Sequence, residues 1–71
     1  MKFSGEKLRD LREDAGMSQS ELARRVAAIG PEISASSINA YEQDEVLSPS
    51  HLRVMAMARI LGVQSDALFV E

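Results

Sequence analysis

Two groups of polar side chains in this sequence have the types and spacing of a binding surface. Ser18, Gln19 and Glu21 open a helix, and its unpaired N–H groups and positive dipole end place Gln19 well to clamp a phosphate. Ser36, Ser37, Asn39, Ala40 and Gln43 share the outer face of a later helix, polar but uncharged and so suited to hydrogen bonding. Catalysis has little to work with. Ser50 and His51 lack any glycine-rich turn or nucleophile elbow and read as a helix start, while Asp44-Glu45 reads as a solvated turn. No phosphate-cradling loop occurs and no ligand cluster has metal spacing, so neither an enzyme, a cofactor nor a bound metal is expected.

The elements that position these groups must come from a chain of 71 residues, which is read as a single domain over residues 1–71. Hydrophobic residues make up 45% and the only aromatics are Phe3, Tyr41 and Phe69, so the core is built from aliphatic side chains and methionine. The absence of cysteine excludes a disulfide scaffold, a thiol nucleophile and the usual structural zinc sites. No apolar run approaches a membrane span and the start lacks the apolar core of a signal peptide, so a cytoplasmic protein is expected. A domain this small without staples is marginal alone, which favours a dimer or a larger assembly. The net charge of -3 has the wrong sign for holding nucleic acid by bulk charge, so any such binding must be local. No effector domain is visible at this length, and regulation is expected through abundance, partners or proteolysis.

Helical periodicity runs through the chain, and no segment alternates convincingly with period two. A first helix spans about Gly5 to Ala15 with Leu8 and Leu11 on one stripe, and Gly16 stops it. Ser18 and Glu21 form a capping-box pattern, with Met17 as a staple onto Leu22, for a second helix whose Leu22, Ala23, Val26 and Ile29 face inward. Gly30-Pro31 ends it. Ser34 caps a third helix with Ala35, Ile38 and Tyr41 on its inner face. A fourth starts around Ser48-Pro49-Ser50, with proline in its first turn, and runs to Leu61 before Gly62. A short fifth, about Ser65 to Phe69, closes a compact all-α, five-helix bundle with Leu68 or Phe69 buried. Leu22, Ile38 and Leu61 are expected to meet in its core.

Leu8-Arg9-Asp10-Leu11-Arg12, Gly16-Met17-Ser18-Gln19, Glu21-Leu22-Ala23, Ile33-Ser34, Ile38, Tyr41-Glu42, Pro49-Ser50 and Leu61-Gly62-Val63, in that order, resemble the Cro/repressor-type, xenobiotic-response-element-like helix-turn-helix family. The resemblance covers about Leu8 to Phe69. It implies a lambda-repressor-like DNA-binding domain, with Ser18–Ile29 and Ser34 to about Gln43 as the helix-turn-helix and the second of these in the major groove of double-stranded DNA. Its family position gives Gln19 a phosphate, and those of Ala35, Ser36 and Ala40 a role in reading bases. Alanine touches only a thymine methyl, so readout falls to Ser36 and Asn39, whose amide could pair with adenine or hold a phosphate. Ser37 is assigned to phosphate or capping. Arg12 and Glu42 match positions that form an ion pair bracing the first helix against the third. The function implied is a sequence-specific transcriptional regulator of the repressor kind.

Three features depart from the family pattern. Gln43-Asp44-Glu45 stands where glycine and basic residues are common, which reverses the sign beside the phosphates. Ala27-Ala28-Ile29-Gly30-Pro31-Glu32 lengthens the tight turn, leaving the angle of the third helix open. The fourth helix carries a second apolar stripe of Leu52, Met55, Ala56 and Ile60, so it is either central in the fold or half of an interface, and for the latter the surface of a homodimer or of a protein partner is considered. The alternative function is therefore a protein-interaction module on the same fold with weak or lost DNA binding.

Overall fold

The computed structural model describes residues 1–44 and 49–71; Glu45, the second carboxylate of the acidic pair, and Ser48, expected near the start of the fourth helix, lie outside them. Helix boundaries follow from one recurring device. The α-helices α1 (Gly5–Asp14), α2 (Gln19–Ile29), α3 (Ala35–Glu42) and α4 (His51–Leu61) each begin after a serine, respectively Ser4, Ser18, Ser34 and Ser50. Each serine oxygen accepts from the backbone N–H three residues on, at 3.0 to 3.2 Å. Such a cap contributes about 1 kcal/mol over alanine. Only half of the capping-box pattern at Ser18 is used this way, because the Glu21 carboxylate accepts from Arg25 instead. Pro49 is buried just ahead of the Ser50 cap rather than within the first turn of α4.

Glycine terminates α1 and α4 in the left-handed region, with φ 72° at Gly16 and 74° at Gly62. In both places the following N–H reaches back five residues, Met17 to the Arg12 carbonyl and Val63 to the Ala58 carbonyl, satisfying carbonyls that the helix leaves open.

The expected fifth helix is not an α-helix, so the described residues hold four α-helices. Ser65–Leu68 is a single 3₁₀ turn whose leading residue, Gln64, makes no side-chain cap. The chain then extends into strand β2 (Phe69–Val70), antiparallel to β1 (Lys2–Phe3), with Lys2 opposite Val70 and Phe3 opposite Phe69. Four residues give one tight turn but too little helix to propagate. Phe3 fixes this closure by packing edge-on against Phe69 at 5.9 Å and Tyr41 at 6.0 Å between ring centroids. Strands of two residues show no period, which is why the pair escapes a periodicity reading.

Leu8, Leu22, Val26, Ile38, Met57 and Leu68 are completely buried and form the centre of the core. Leu61, expected there, is only half-buried, and Met57 one turn earlier occupies the centre because its unbranched side chain reaches between the helices. Ile29, expected to face inward, lies on the last turn of α2 beyond the reach of the core and is exposed. The second stripe of α4 divides: Ala56 is buried and Ile60 packs against the core, while Leu52 and Met55 stand in solvent. Among the described residues no helix is long and apolar enough to cross a membrane.

Candidate nucleic-acid interface

α2 takes up the first part of the inserted segment by extending to Ile29, and Gly30 to Ile33 carry the chain to the Ser34 cap of α3. Arg53 of α4 holds this connection. Its Nη2 donates to the Glu32 carbonyl at 2.9 Å and its Nη1 to the Tyr41 hydroxyl at 2.8 Å, so one guanidinium ties the turn and α3 to α4. At the other end of α3, Gly5 approaches so closely that a Cβ built there would meet the carbonyl oxygens of Tyr41 and Glu42, the latter at 2.8 Å. The positive start of α1 thus lies against the negative end of α3. Asp44, in the left-handed region at φ 59°, adds an Oδ1 acceptor for the Gly5 N–H at 3.3 Å.

Arg12 and Glu42 meet in a bidentate pair, Nε to Oε2 at 2.7 Å and Nη2 to Oε1 at 3.1 Å, with side chains only 11% and 2% exposed. Arg12 Nη1 also donates to the Met17 carbonyl at 2.8 Å, so the same side chain braces the turn before α2. The hydrogen bond to Glu42 raises the Arg12 pKa above its ordinary value, against the opposing effect of burial and with the charges of Glu42 and Glu13 adding to it. Glu42 has a further partner. Gln19 Nε2 donates to Glu42 Oε1 at 3.0 Å and to Asn39 Oδ1 at 3.2 Å, which joins the start of α2 to the outer face of α3.

On that face Ser36, Asn39 and Gln43 are exposed, and Ala35, Ser37 and Ala40 are half-buried at its margins. Gln19 is brought into the cluster; Leu52, Met55 and Ile60 lie apart on α4, within which Ile60 belongs to the core margin. The hydroxyls of Ser34 and Ser37 lie 3.2 Å apart, and both residues line a depression with Arg53. A cation therefore stands beside the start of α3. Arg24 and Arg25, in contrast, both pair with Glu21, at 3.3 and 2.8 Å, which blunts the charge of α2 in a solvated setting. Arg53 is one of two charges on an otherwise apolar helix and the buried Tyr41 hydroxyl needs a partner, two signals present in the sequence whose pairing only the fold shows.

The profile of a family described as a helix-turn-helix domain matches residues 5–70 of the chain. The chain belongs to the helix-turn-helix domain family. The fold of this helix-turn-helix domain is similar to that of the P22 c2 repressor in its crystal structure in complex with synthetic operator 9T in the presence of Tl+. The TM-score is 0.81 at 23% sequence identity, over 97% of this chain and 96% of the repressor chain. No curated protein matches the helix-turn-helix domain significantly in sequence. Its architecture is that of the Cro/repressor type, with the lengthened connection between α2 and α3 accommodated without loss of the fold.

Proposed function

We propose that this helix-turn-helix domain is a sequence-specific DNA-binding regulator, repressor-like and cytoplasmic, with α3 lying in the major groove. The observation that carries the reading is the exposed, uncharged hydrogen-bonding face of α3, with Ser36, Asn39 and Gln43 in solvent and the start of α2 beside it. The similarity to the P22 c2 repressor, solved on its operator, supports the same use of the fold. Ser36 and Asn39 face bases, Ala35 and Ala40 offer methyl contact, and Gln43 continues the face at the end of α3. Ser37 serves phosphate together with Arg53, whose guanidinium uses two of its five N–H groups in hydrogen bonds among the described residues. Gln19 serves a phosphate through its backbone N–H, which has no acceptor within the helix.

This arrangement compensates for an acidic chain with local positive charge, so binding should be moderate in strength and steep in salt. Titration of duplexes selected from a random pool, across a salt series, tests it. A slope of about -0.9 in log K against log salt for each phosphate contact supports groove docking. A flat response with no preferred duplex contradicts it.

A second reading is favoured by one observation: Ile29, Leu52 and Met55, 46%, 63% and 51% exposed, line a shallow groove of about 270 Å³ with Pro31 and Arg59. In that reading this face, not Ile60, binds a second copy or another protein. A homodimer would place two α3 helices on half-sites of one DNA, so the two readings are compatible. Leu52→Glu tests the homodimer, because it would abolish self-association while leaving single-site DNA contact; in a protein-interaction module with weak or lost DNA binding, neither the wild type nor the variant would select a duplex.

A further inference from the structure

The two ends of α3 are held in different ways. Its last turn is pinned by α1, through the hydrogen bonds of Arg12 to Glu42 and the approach of Gly5 to the Tyr41 and Glu42 carbonyls. Its start is reached through Pro31, Glu32 and Ile33, which lie outside any helix or strand. Pro31 has no N–H to donate. Among the described residues, one hydrogen bond alone ties these three to the rest of the chain, from Arg53 Nη2 to the Glu32 carbonyl at 2.9 Å. Ile33 is buried, as is Ile38 within α3, but burial is non-directional and holds the helix on the core without setting the direction of its axis.

The other arm of the same guanidinium supplies the direction. Arg53 Nη1 donates to the Tyr41 hydroxyl at 2.8 Å. Tyr41 belongs to the last turn of α3, yet a helical side chain leans toward its helix N-terminus, which carries the hydroxyl back toward the connection. One planar fork thus holds the entry to α3 and a side chain rooted near its end at the same time, and a group held at two points resists a rotation that a single contact would allow. The fork is itself well anchored. Arg53 stands in the first turn of α4 beside the buried Val54, and its N–H donates to the Ser50 cap.

We propose that Arg53 is a positioning residue for specificity: by gripping the Glu32 carbonyl and the Tyr41 hydroxyl together it sets the direction of α3, and so decides whether Ser36 and Asn39 reach base edges together. A helix pinned at its last turn moves most at its start, and it is the first residues of a groove-bound helix that meet the bases. This rests on the DNA-binding reading above and goes beyond the phosphate contact given to Arg53 there, whose loss would weaken every duplex alike.

Two variants that keep the charge of the site test it. Tyr41→Phe removes one acceptor, and Arg53→Lys keeps the cation but replaces the fork by a single ammonium that cannot reproduce its two-point geometry. At a temperature where the wild type and both variants are folded, residual dipolar couplings of backbone amides in the free protein should show α3 turned relative to α2 and α4 in each variant, with α2 and α4 keeping their mutual orientation. On DNA, each variant should discriminate a duplex selected by the wild type from a random duplex roughly tenfold less well, about the worth of one base contact. Tyr41→Phe should bind the random duplex within about twofold of wild type, since no phosphate contact changes. Couplings of α3 that match wild type in both variants, or an equal loss of affinity for selected and random duplexes, would overturn the proposal. A turned α3 in the variants of a protein whose wild type selects no duplex would overturn the DNA reading, while upholding the hold of Arg53 on α3.

Discussion

The Tyr41 hydroxyl accepts a hydrogen bond from Arg53 Nη1 at 2.8 Å, and it is the link by which α4 grips the middle of the motif. Tyr41 is buried and its ring also meets Phe3, so one side chain connects the strand pair, α3 and α4. Tyr41→Phe keeps the packing and loses the hydrogen bond, and should cost about 1 to 2 kcal/mol because the acceptor is lost to a charged donor. Arg53→Ala frees the Glu32 carbonyl as well and should cost more. Urea unfolding of the two single variants and the double variant measures the coupling, and additive costs would show that the bond contributes nothing of its own.

The Arg12–Glu42 pair is nearly buried, so its parts and its whole should behave differently. Glu42→Ala leaves a guanidinium without its main partner and should destabilise by about 3 to 5 kcal/mol. Replacing both residues by apolar side chains of similar volume should cost roughly 1 to 4 kcal/mol less than that single change. Thermal unfolding over a range of salt concentrations checks this; a Glu42→Ala protein as stable as wild type would contradict the pair's structural role.

Gly5 is required by the approach of α1 to the Tyr41 and Glu42 carbonyls, not by its own dihedral angles. The obstacle is backbone, which cannot swing aside as a flexible side chain would. Gly5→Ala should therefore lower stability by about 1 to 3 kcal/mol or more, where an alanine in the first turn of an unobstructed helix would raise it. Calorimetric melting of this variant beside Gly30→Ala, where a Cβ meets open space, gives the comparison.

Asp44 joins an exposed charge to a structural acceptor, and asparagine separates the two roles. Asn tolerates the left-handed region and keeps an oxygen for the Gly5 N–H, so Asp44→Asn should leave stability within about 0.5 kcal/mol of wild type. If this end of α3 borders DNA, removal of the charge should also strengthen binding to every duplex at low salt. Equal affinity before and after would place Asp44 away from the phosphates.

Local chemistry carried most of what the sequence revealed. The Ser18 and Ser34 caps and the Gly16 and Gly62 stops lie within a few residues of the helix ends they make, so the existence of the α-helices was legible from pattern alone, although the Ser50 cap was not. The exposed face of α3 followed from the placement of Ile38 and Tyr41. What escaped depends on residues distant in the chain: the pairing of Phe3 with Phe69, the approach of Gly5 to α3, and the grip of Arg53 on the turn. Leu61 and Ile29 satisfied the apolar period but lie on the last turns of their helices, where little of the core remains to cover them. The Gln19–Asn39 contact was invisible for the same reason, since it depends on how α2 crosses α3.

The central claim is that α3 docks on DNA, and an NMR titration of the labelled protein with a selected duplex at low salt tests it most directly. Amide perturbations should concentrate on Ser34 to Gln43 and on Ser18 to Ser20, with Arg53 affected at the start of α3, and should reverse as salt is raised. Perturbations confined to Ile29, Leu52 and Met55, or a spectrum unchanged at saturating duplex, would contradict it.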